Sequence, residues 1–424
     1  LFGIIFSSAY IFVNWYEMSF RVIRPEKLDL MVGILIIAAV INCSNIRLGR
    51  PLPLIAMFFI FYALFGQYIK GDMGTVSFTV QRVVSILTME TSGIFGTILG
   101  TAAKQIFVFM IFGSFLELSG ASEFFLKMTS TMLGSLKGSG AKVNTMAGGL
   151  LGMVSGSAVA NVMAVGPMTF PMMKKDGFSK DFCGAIAAIS GTGGQLMPPV
   201  MGTAAFIIAE TLAVSYGEVT KAALIPGVLF YLTIWITINC HSNHLGLKER
   251  REKADWIPVV KNGFYYLVPI IFLIVTISVL KWSPIKAGLW STVLVVAVSQ
   301  FNKDNRMTLK IVIRAMENSA KGALTVSVAC AVAGIIVGIL SITGLGLKFS
   351  TVLLALSGGH KIVLLVFTMV AGLILGMGMT TTSVYIVLSV LVAPALVDFG
   401  VEPIAAHMFV FYFGILSCIT PPVA

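Results

Sequence analysis

Long apolar runs, cut at intervals by short charged loops, organise this chain. A bilayer crossing takes about 20 mostly apolar residues per helix. Such runs fall at 1–20, 28–46, 52–69, 94–118, 180–212, 222–240, 263–281, 285–302, 320–341 and 403–424. Residues 75–90 and 121–137 alternate apolar and polar side chains too closely for a crossing. They are predicted to lie in the interface or to brace the bundle. Two further segments differ from both kinds. Residues 143–173 and 362–397 contain no Asp, Glu, Lys or Arg, and small polar residues cluster in their middles, Ser155 to Asn161 and Gly378 to Ser383. That pattern predicts two helix–turn–helix hairpins, about 141–173 and 362–397, each entering and leaving on one side. Non-helical backbone at membrane depth is tolerated only when buried in protein or lining a cavity.

The hairpin pattern occurs twice, with a second feature attached. GGLLGMVSGSAVANVMAVGPMTFPMM (148–173) is followed by GTGGQLMPPV (191–200), and AGLILGMGMTTTSVYIVLSVLVAPAL (371–396) by SCITPPVA (417–424). Gly152 matches Gly376 at a separation of 224, and Pro198-Pro199 matches Pro421-Pro422 at 223. Single glycines, such as those of Gly148-xxx-Gly152, Gly152-xxx-Gly156 and Gly334-xxx-Gly338, fit plain helix packing. Packing does not call for paired prolines at matching places, because each proline removes a backbone hydrogen bond that lipid does not replace. Broken apolar segments in matching halves point to a transporter's binding site.

Composition agrees. Of 424 residues, 57% are apolar and 11% charged, with mean hydropathy +0.95; soluble domains carry about 25% charged residues. The chain reads as an all-α polytopic membrane protein, embedded in the lipid bilayer. Its net charge of +11 sits in short loops, which the positive-inside rule explains without a nucleic-acid partner. Lys174 and Lys175, then Lys248, Arg250, Arg251 and Lys253, then Lys303, Arg306, Lys310 and Arg314 are separated by paired crossings and so share one side. An odd number of crossings separates the hairpins, which makes the repeats inverted. Residues 1–90 lack the Gly/Ser/Thr breaks and are read as a separate small membrane unit, with 91–424 as the transport domain. The five cysteines are scattered and support neither a disulfide framework nor a transition-metal site. No catalytic motif argues for an enzyme. A first residue Leu, no basic leader, and an end two residues past Pro422 suggest a chain truncated at both ends.

The residues then limit the chemistry. No carboxylate lies in 143–173, 182–209, 362–397 or 403–424, which disfavours a proton relay there. Hydroxyl, amide and freed carbonyl oxygens suit a hard cation such as sodium. Helix N-termini after each break favour an anionic substrate group. Sodium-coupled anion uptake is the expectation. Elsewhere, His241-xx-His244 reads as a solvated loop, His407 as a packed histidine, Lys104 as snorkelling, and Glu117 and Glu123 as facing the interface.

The strings TSGIFGTILGTAAKQIFVFMIFGSFLELSGA (91–121), SGSAVANV (155–162), SGTGGQLMPPVMGTAAFIIAE (190–210), AGIIVGILSITGLGLKFS (333–350) and LGMGMTTTSVYIVLSVLVAPALV (375–397) continuing through HMFVFYFGILSCITPPVA (407–424) resemble a TRAP transporter permease. The resemblance covers nearly the whole length. It is to the fused type, in which small and large membrane subunits form one polypeptide, associated with TAXI receptors. It implies an inverted-repeat, elevator-type importer with two re-entrant hairpins and two broken helices, driven by Na+ as coupling ion. It further implies a small organic acid as substrate, an extracytoplasmic solute-binding receptor as partner, and a bacterial or archaeal cytoplasmic (inner) membrane as location. Residues 1–90 would be the scaffold. Family sodium sites carry over to Ser155, Gly156, Ser157 and Asn161 with Gly193 and Gly194, and to Gly376, Gly378, Thr381 and Thr382 with Thr420. Pro198, Pro199, Pro421 and Pro422 are the helix breaks. Thr380 stands where similar sequences have Pro, so the shape of the second tip is open; Lys104 also replaces an uncharged residue. Alternatives are a receptor-independent sodium–carboxylate symporter, an ion channel and a non-transporting membrane scaffold.

Overall fold

A computed structural model describes residues 2–71, 73–249, 257–301 and 306–420, and every regular element among them is a helix. The chain begins with α1 (Phe2–Phe20), α2 (Lys27–Leu48), α3 (Pro51–Phe65), α4 (Val80–Met89) and the short α5 (Thr97–Thr101). A π-helical turn joins α5 to α6 (Phe107–Leu116), and a second, Glu117–Ala121, joins α6 to α7 (Ser122–Leu133). Next come α8 (Ser139–Ser155), α9 (Ala158–Asp176), α10 (Lys180–Gly193) and α11 (Ala204–Thr211). The middle of the chain holds α12 (Tyr216–His244), α13 (Ile257–Gly263), α14 (Val268–Ser278) and α15 (Pro284–Ser299). The rest is α16 (Leu309–Thr343), α17 (Leu345–Leu356), α18 (Lys361–Gly376), α19 (Thr381–Leu391), α20 (Ala393–Asp398) and α21 (Pro403–Leu416).

Local chemistry sets many of these ends. Ser157, Ser179, Ser215 and Ser283 each accept a backbone N–H from three residues on, capping α9, α10, α12 and α15. Glu26 and Asp29 form a reciprocal capping box at the start of α2. The Asp29 carboxylate is buried and also accepts from the Tyr10 hydroxyl at 2.7 Å, which ties α1 to α2. Gly177, at φ 106, closes α9 just after Lys174 and Lys175, a left-handed end with basic charge on the helix C-terminus.

Five helical runs among the described residues are long and apolar enough to cross a membrane: Lys27–Leu48, Pro51–Tyr68, Thr97–Leu133, Tyr216–His244 and Leu309–Thr343. Large apolar side chains such as Phe12, Phe58, Ile225 and Ile362 point away from the protein, as suits a hydrocarbon surround.

Two compact units form. Leu1–Ala103, Glu210–Leu212 and Leu324–Ala424 make the first; Lys104–Ala209 and Ala213–Ala323 make the second. In the first, α1 to α4 pack on one another, and α18 and α19 both pack on α21. Gly334 of α16 lies so close to the 93–94 backbone that a Cβ there would stand 2.5 Å from the Gly93 carbonyl oxygen. In the second, α8, α9 and α10 pack mutually, α7 lies along α8, and α15 lies along α6.

Several boundaries differ from the sequence reading. Residues 94–118 and 121–137 form one helical run, 97–133, kinked where Gly120 takes φ 95. Its last part braces the first hairpin arm. Helix α16 begins well before residue 320 because its charged first turns are helical; there Lys321 Nζ meets Glu317 Oε1 at 2.6 Å, an i, i+4 pair. Helix α17 was not anticipated from the hydropathy pattern.

Candidate functional site

The first helix–turn–helix runs over 139–176. Its arms α8 and α9 are separated by Gly156 and Ser157 alone. Gly156 takes φ 61 and its N–H donates to the Gly152 carbonyl. A side chain there would be strained and would also press on the Met201 carbonyl oxygen at 2.9 Å. The Ser155 hydroxyl donates to Asn161 Oδ1 at 2.6 Å, and Ser157 N–H donates back to Ser155 Oγ at 3.2 Å. Asn161 is buried and passes the link on, donating from Nδ2 to the Gly191 carbonyl at 3.0 Å.

The broken helix meets this tip. Helix α10 ends at Gly193, a 3-10 turn covers Gly194–Leu196, and the chain unwinds before α11. Pro198-Pro199 is a cis bond, and Met201 takes φ 59. A Cβ on Gly152 would lie 2.5 Å from Gly194 Cα and 2.5 Å from Asn161 Nδ2. Two backbones therefore touch here. Carbonyls freed by the break are partly answered, since the Tyr216 hydroxyl donates to those of Pro199 and Val200; the Tyr231 hydroxyl adds a second donor, at 3.1 Å, to the Ser190 carbonyl, which already accepts the Gly194 N–H. Below the tip, the Thr169 hydroxyl donates to Asn144 Oδ1 at 2.7 Å, and Ser190 Oγ lies 3.3 Å from Thr145 Oγ1. All of this polarity is neutral, and most of it is buried.

The second hairpin is broken between α18 and α19. Gly378 has φ 74, Met379 N–H donates to the Gly376 carbonyl, and Thr380 Oγ1 and Ser383 Oγ lie 2.8 Å apart. A Cβ on Gly376 would fall 2.1 Å from Ser417 Oγ, at the start of the 3-10 turn that ends α21. The Cys418 thiol donates to the Met379 carbonyl at 3.8 Å, and Thr420 Oγ1 to the Leu416 carbonyl at 2.7 Å. Pro421 and Pro422 lie outside the described residues. Thr380 itself has φ −73 and ψ 152. Proline adopts that backbone without strain, so Thr380 holds dihedrals that a proline at this position would also take.

One close contact recurs at matching positions in the two halves. Gly152 and Gly194 touch in one half; Gly376 and Ser417, offset by 224 and 223 residues, touch in the other. Of the residues singled out from sequence, Ser155, Gly156, Ser157, Asn161, Gly193 and Gly194 are brought to one tip. Gly193 is covered by the Phe230 ring, against which its Cβ would clash. Gly376, Gly378, Thr381, Thr382 and Thr420 lie along the second break, with Thr382 buried. The supporting Tyr216 and Tyr231 were not foreseen; both lie in or beside a helix whose pattern is an ordinary crossing. His241 stacks on the Phe178 and Phe182 rings, and His407 is buried with Nδ1 2.8 Å from the Tyr385 hydroxyl.

Apolar crossings, a hairpin tip and a helix unwound at paired prolines define a membrane transporter rather than an enzyme. The match to known proteins carries this further: residues 35–424 fit the family described as "Tripartite ATP-independent periplasmic transporter, DctM component", and the chain belongs to that family. It is 26% identical over 328 residues to the 2,3-diketo-L-gulonate TRAP transporter large permease protein YiaN of Escherichia coli, covering 74% of each chain. It is 23% identical over 317 residues to the C4-dicarboxylate TRAP transporter large permease protein DctM of Pseudomonas aeruginosa, covering 74% of this chain and 73% of that one. It is 24% identical over 387 residues to the isethionate TRAP transporter permease protein DctMQ of Oleidesulfovibrio alaskensis; the match covers 88% of this chain and 59% of that longer one. In fold it is similar to the YdaH transporter of Alcanivorax borkumensis, with TM-score 0.56, 15% identity, and 88% and 89% of the two chains covered.

Proposed function

We propose that this chain is the membrane permease of a sodium-coupled importer for a small organic acid, handed over by an extracytoplasmic solute-binding receptor at the cytoplasmic membrane. One observation carries the coupling reading. At the first tip, Ser155, Asn161 and the broken helix bring hydroxyl, amide and carbonyl oxygens together with no fixed cation among them. Such oxygens, at unwound backbone, suit a hard monovalent cation. The second tip repeats the arrangement with Thr380, Thr381 and Thr382 beside Gly376 and Gly378.

An elevator-type movement and a scaffold role for residues 1–90 belong to the same reading. With one sodium per repeat, two charges crossing 100 mV supply about 4.6 kcal/mol. That corresponds to about a thousandfold accumulation of a neutral solute, at about 1.4 kcal/mol per decade. Relatives named for 2,3-diketo-L-gulonate, C4-dicarboxylates and isethionate support an organic anion as cargo. The test is uptake of a panel of labelled organic acids into proteoliposomes, with and without sodium and a cognate receptor. Uptake needing both is expected; uptake that needs sodium but no receptor favours a direct symporter, and uptake indifferent to both refutes the proposal.

A further inference from the structure

The first hairpin tip is charge-free in its own sequence, yet a carboxylate reaches it from elsewhere. Glu117 lines one small cavity, about 30 Å³, together with Ser155, Asn161, Ala160 and Gly113. A volume of about 10–15 Å³ admits one water, so the cavity has room for a small cation that keeps a water. The chain path explains how Glu117 comes to this depth. Helix α7 lies along α8, and the short 134–138 connection makes the two antiparallel. The start of α7 therefore stands opposite the end of α8, at the tip, and Glu117 precedes it by one π-helical turn.

That turn is itself unusual. Gly120 takes φ 95, the Tyr266 hydroxyl donates to the Ser119 carbonyl at 2.9 Å, and the Ser119 hydroxyl donates to the Leu116 carbonyl. Two side chains thus repair a backbone bent away from regular helix, and π-bulges of this kind gather at functional sites. No hydrogen bond or ion pair among the described residues engages the Glu117 carboxylate. Glu117 is an exposed residue, and it contributes to the lining of the cavity. Acidic side chains within membrane helices are rare and commonly face a polar cavity or ion path, and Glu117 faces one here.

Hydrogen-bond capacity points the same way. Ser155 Oγ accepts one N–H and donates its proton to Asn161 Oδ1. Each of these two oxygens keeps a lone pair free, since a hydroxyl and an amide oxygen carry two apiece. Neutral oxygens alone leave a bound cation's charge uncompensated in a low dielectric; a carboxylate beside them cancels it.

We propose that Glu117 supplies the negative charge of a monovalent-cation site at the first hairpin tip, with Ser155 and Asn161 as its neutral oxygens. This rests on the sodium-coupled reading above and adds a residue outside both hairpins to it.

The experiment is thermal unfolding of the purified full-length permease in detergent, titrated with NaCl against KCl at constant ionic strength. Sodium-specific stabilisation is expected for the unaltered protein. In Glu117→Gln the sodium midpoint should rise about tenfold, equivalent to about 1.4 kcal/mol, while Glu117→Asp should stay within about threefold. An unchanged midpoint in Glu117→Gln overturns the inference and leaves sodium coupling standing. If Glu117→Gln does not fold, an unshifted midpoint in the equally uncharged Glu117→Asn overturns it, with Glu117→Asp as the charge-keeping control. Sodium-independent unfolding of the unaltered protein, joined to sodium-independent uptake, overturns the coupling reading and this inference with it.

Discussion

At the first hairpin tip, Asn161 reaches across to a backbone carbonyl of α10; at the second, the matching position is Tyr385, which reaches across to the side chain of His407 on α21. The close contact beneath each link differs in the same sense. Gly152 rests against the backbone of Gly194, whereas Gly376 rests against the hydroxyl of Ser417. In these two links the partner is a main-chain group in the first half and a side chain in the second. A duplicated sequence pattern has thus kept the positions of contact while exchanging the chemistry. A backbone contact tolerates no added atom, but a side-chain contact can turn or be shortened.

That difference can be tested in order of expected effect. Gly152→Ala should be the most damaging change, because its new methyl meets a Cα that cannot move aside; overpacking of this kind costs about 1–3 kcal/mol. Loss of uptake together with a lowered Tm in detergent would register it. Gly376→Ala should cost less, and adding Ser417→Gly should restore most of the loss, a rescue with no counterpart at Gly152. Asn161→Ala leaves the Gly191 carbonyl and the Ser155 hydroxyl without their partner, for about 1–3 kcal/mol of stability. Tyr385→Phe removes one hydrogen bond, for about 1 kcal/mol. Thr380→Pro should be the smallest, within about 1 kcal/mol of neutral, because φ −73 already suits proline. A large loss there would show that the Thr380–Ser383 hydroxyl contact, not the backbone, shapes the second tip.

Much of the architecture is legible along the chain, and for physical reasons. Hairpins at 141–173 and 362–397 announce themselves because charge is excluded from both arms while small polar residues gather at the turn. The break at Pro198-Pro199 is legible because proline removes a backbone donor. Less legible is whatever acts across sequence. Tyr216 and Tyr231 answer carbonyls of the broken helix from positions whose surroundings look like plain crossings. Glu117 reads as an interfacial residue near a helix end; only the antiparallel pairing of α7 with α8 carries it to the tip. The helical start of α16 is masked by its charges, of which Glu317 and Lys321 pair on an exposed face.

The central claim is that each hairpin tip holds one coupling ion. The most direct measurement is the sodium titration of uptake in proteoliposomes, with receptor present, for the unaltered permease, Asn161→Ala and Thr381→Ala. A Hill coefficient approaching two for the unaltered protein is expected, since it is bounded by the number of sites. Each substitution should lower it toward one and raise the sodium needed for half-maximal uptake. Superimposable sodium curves for all three proteins would contradict the account.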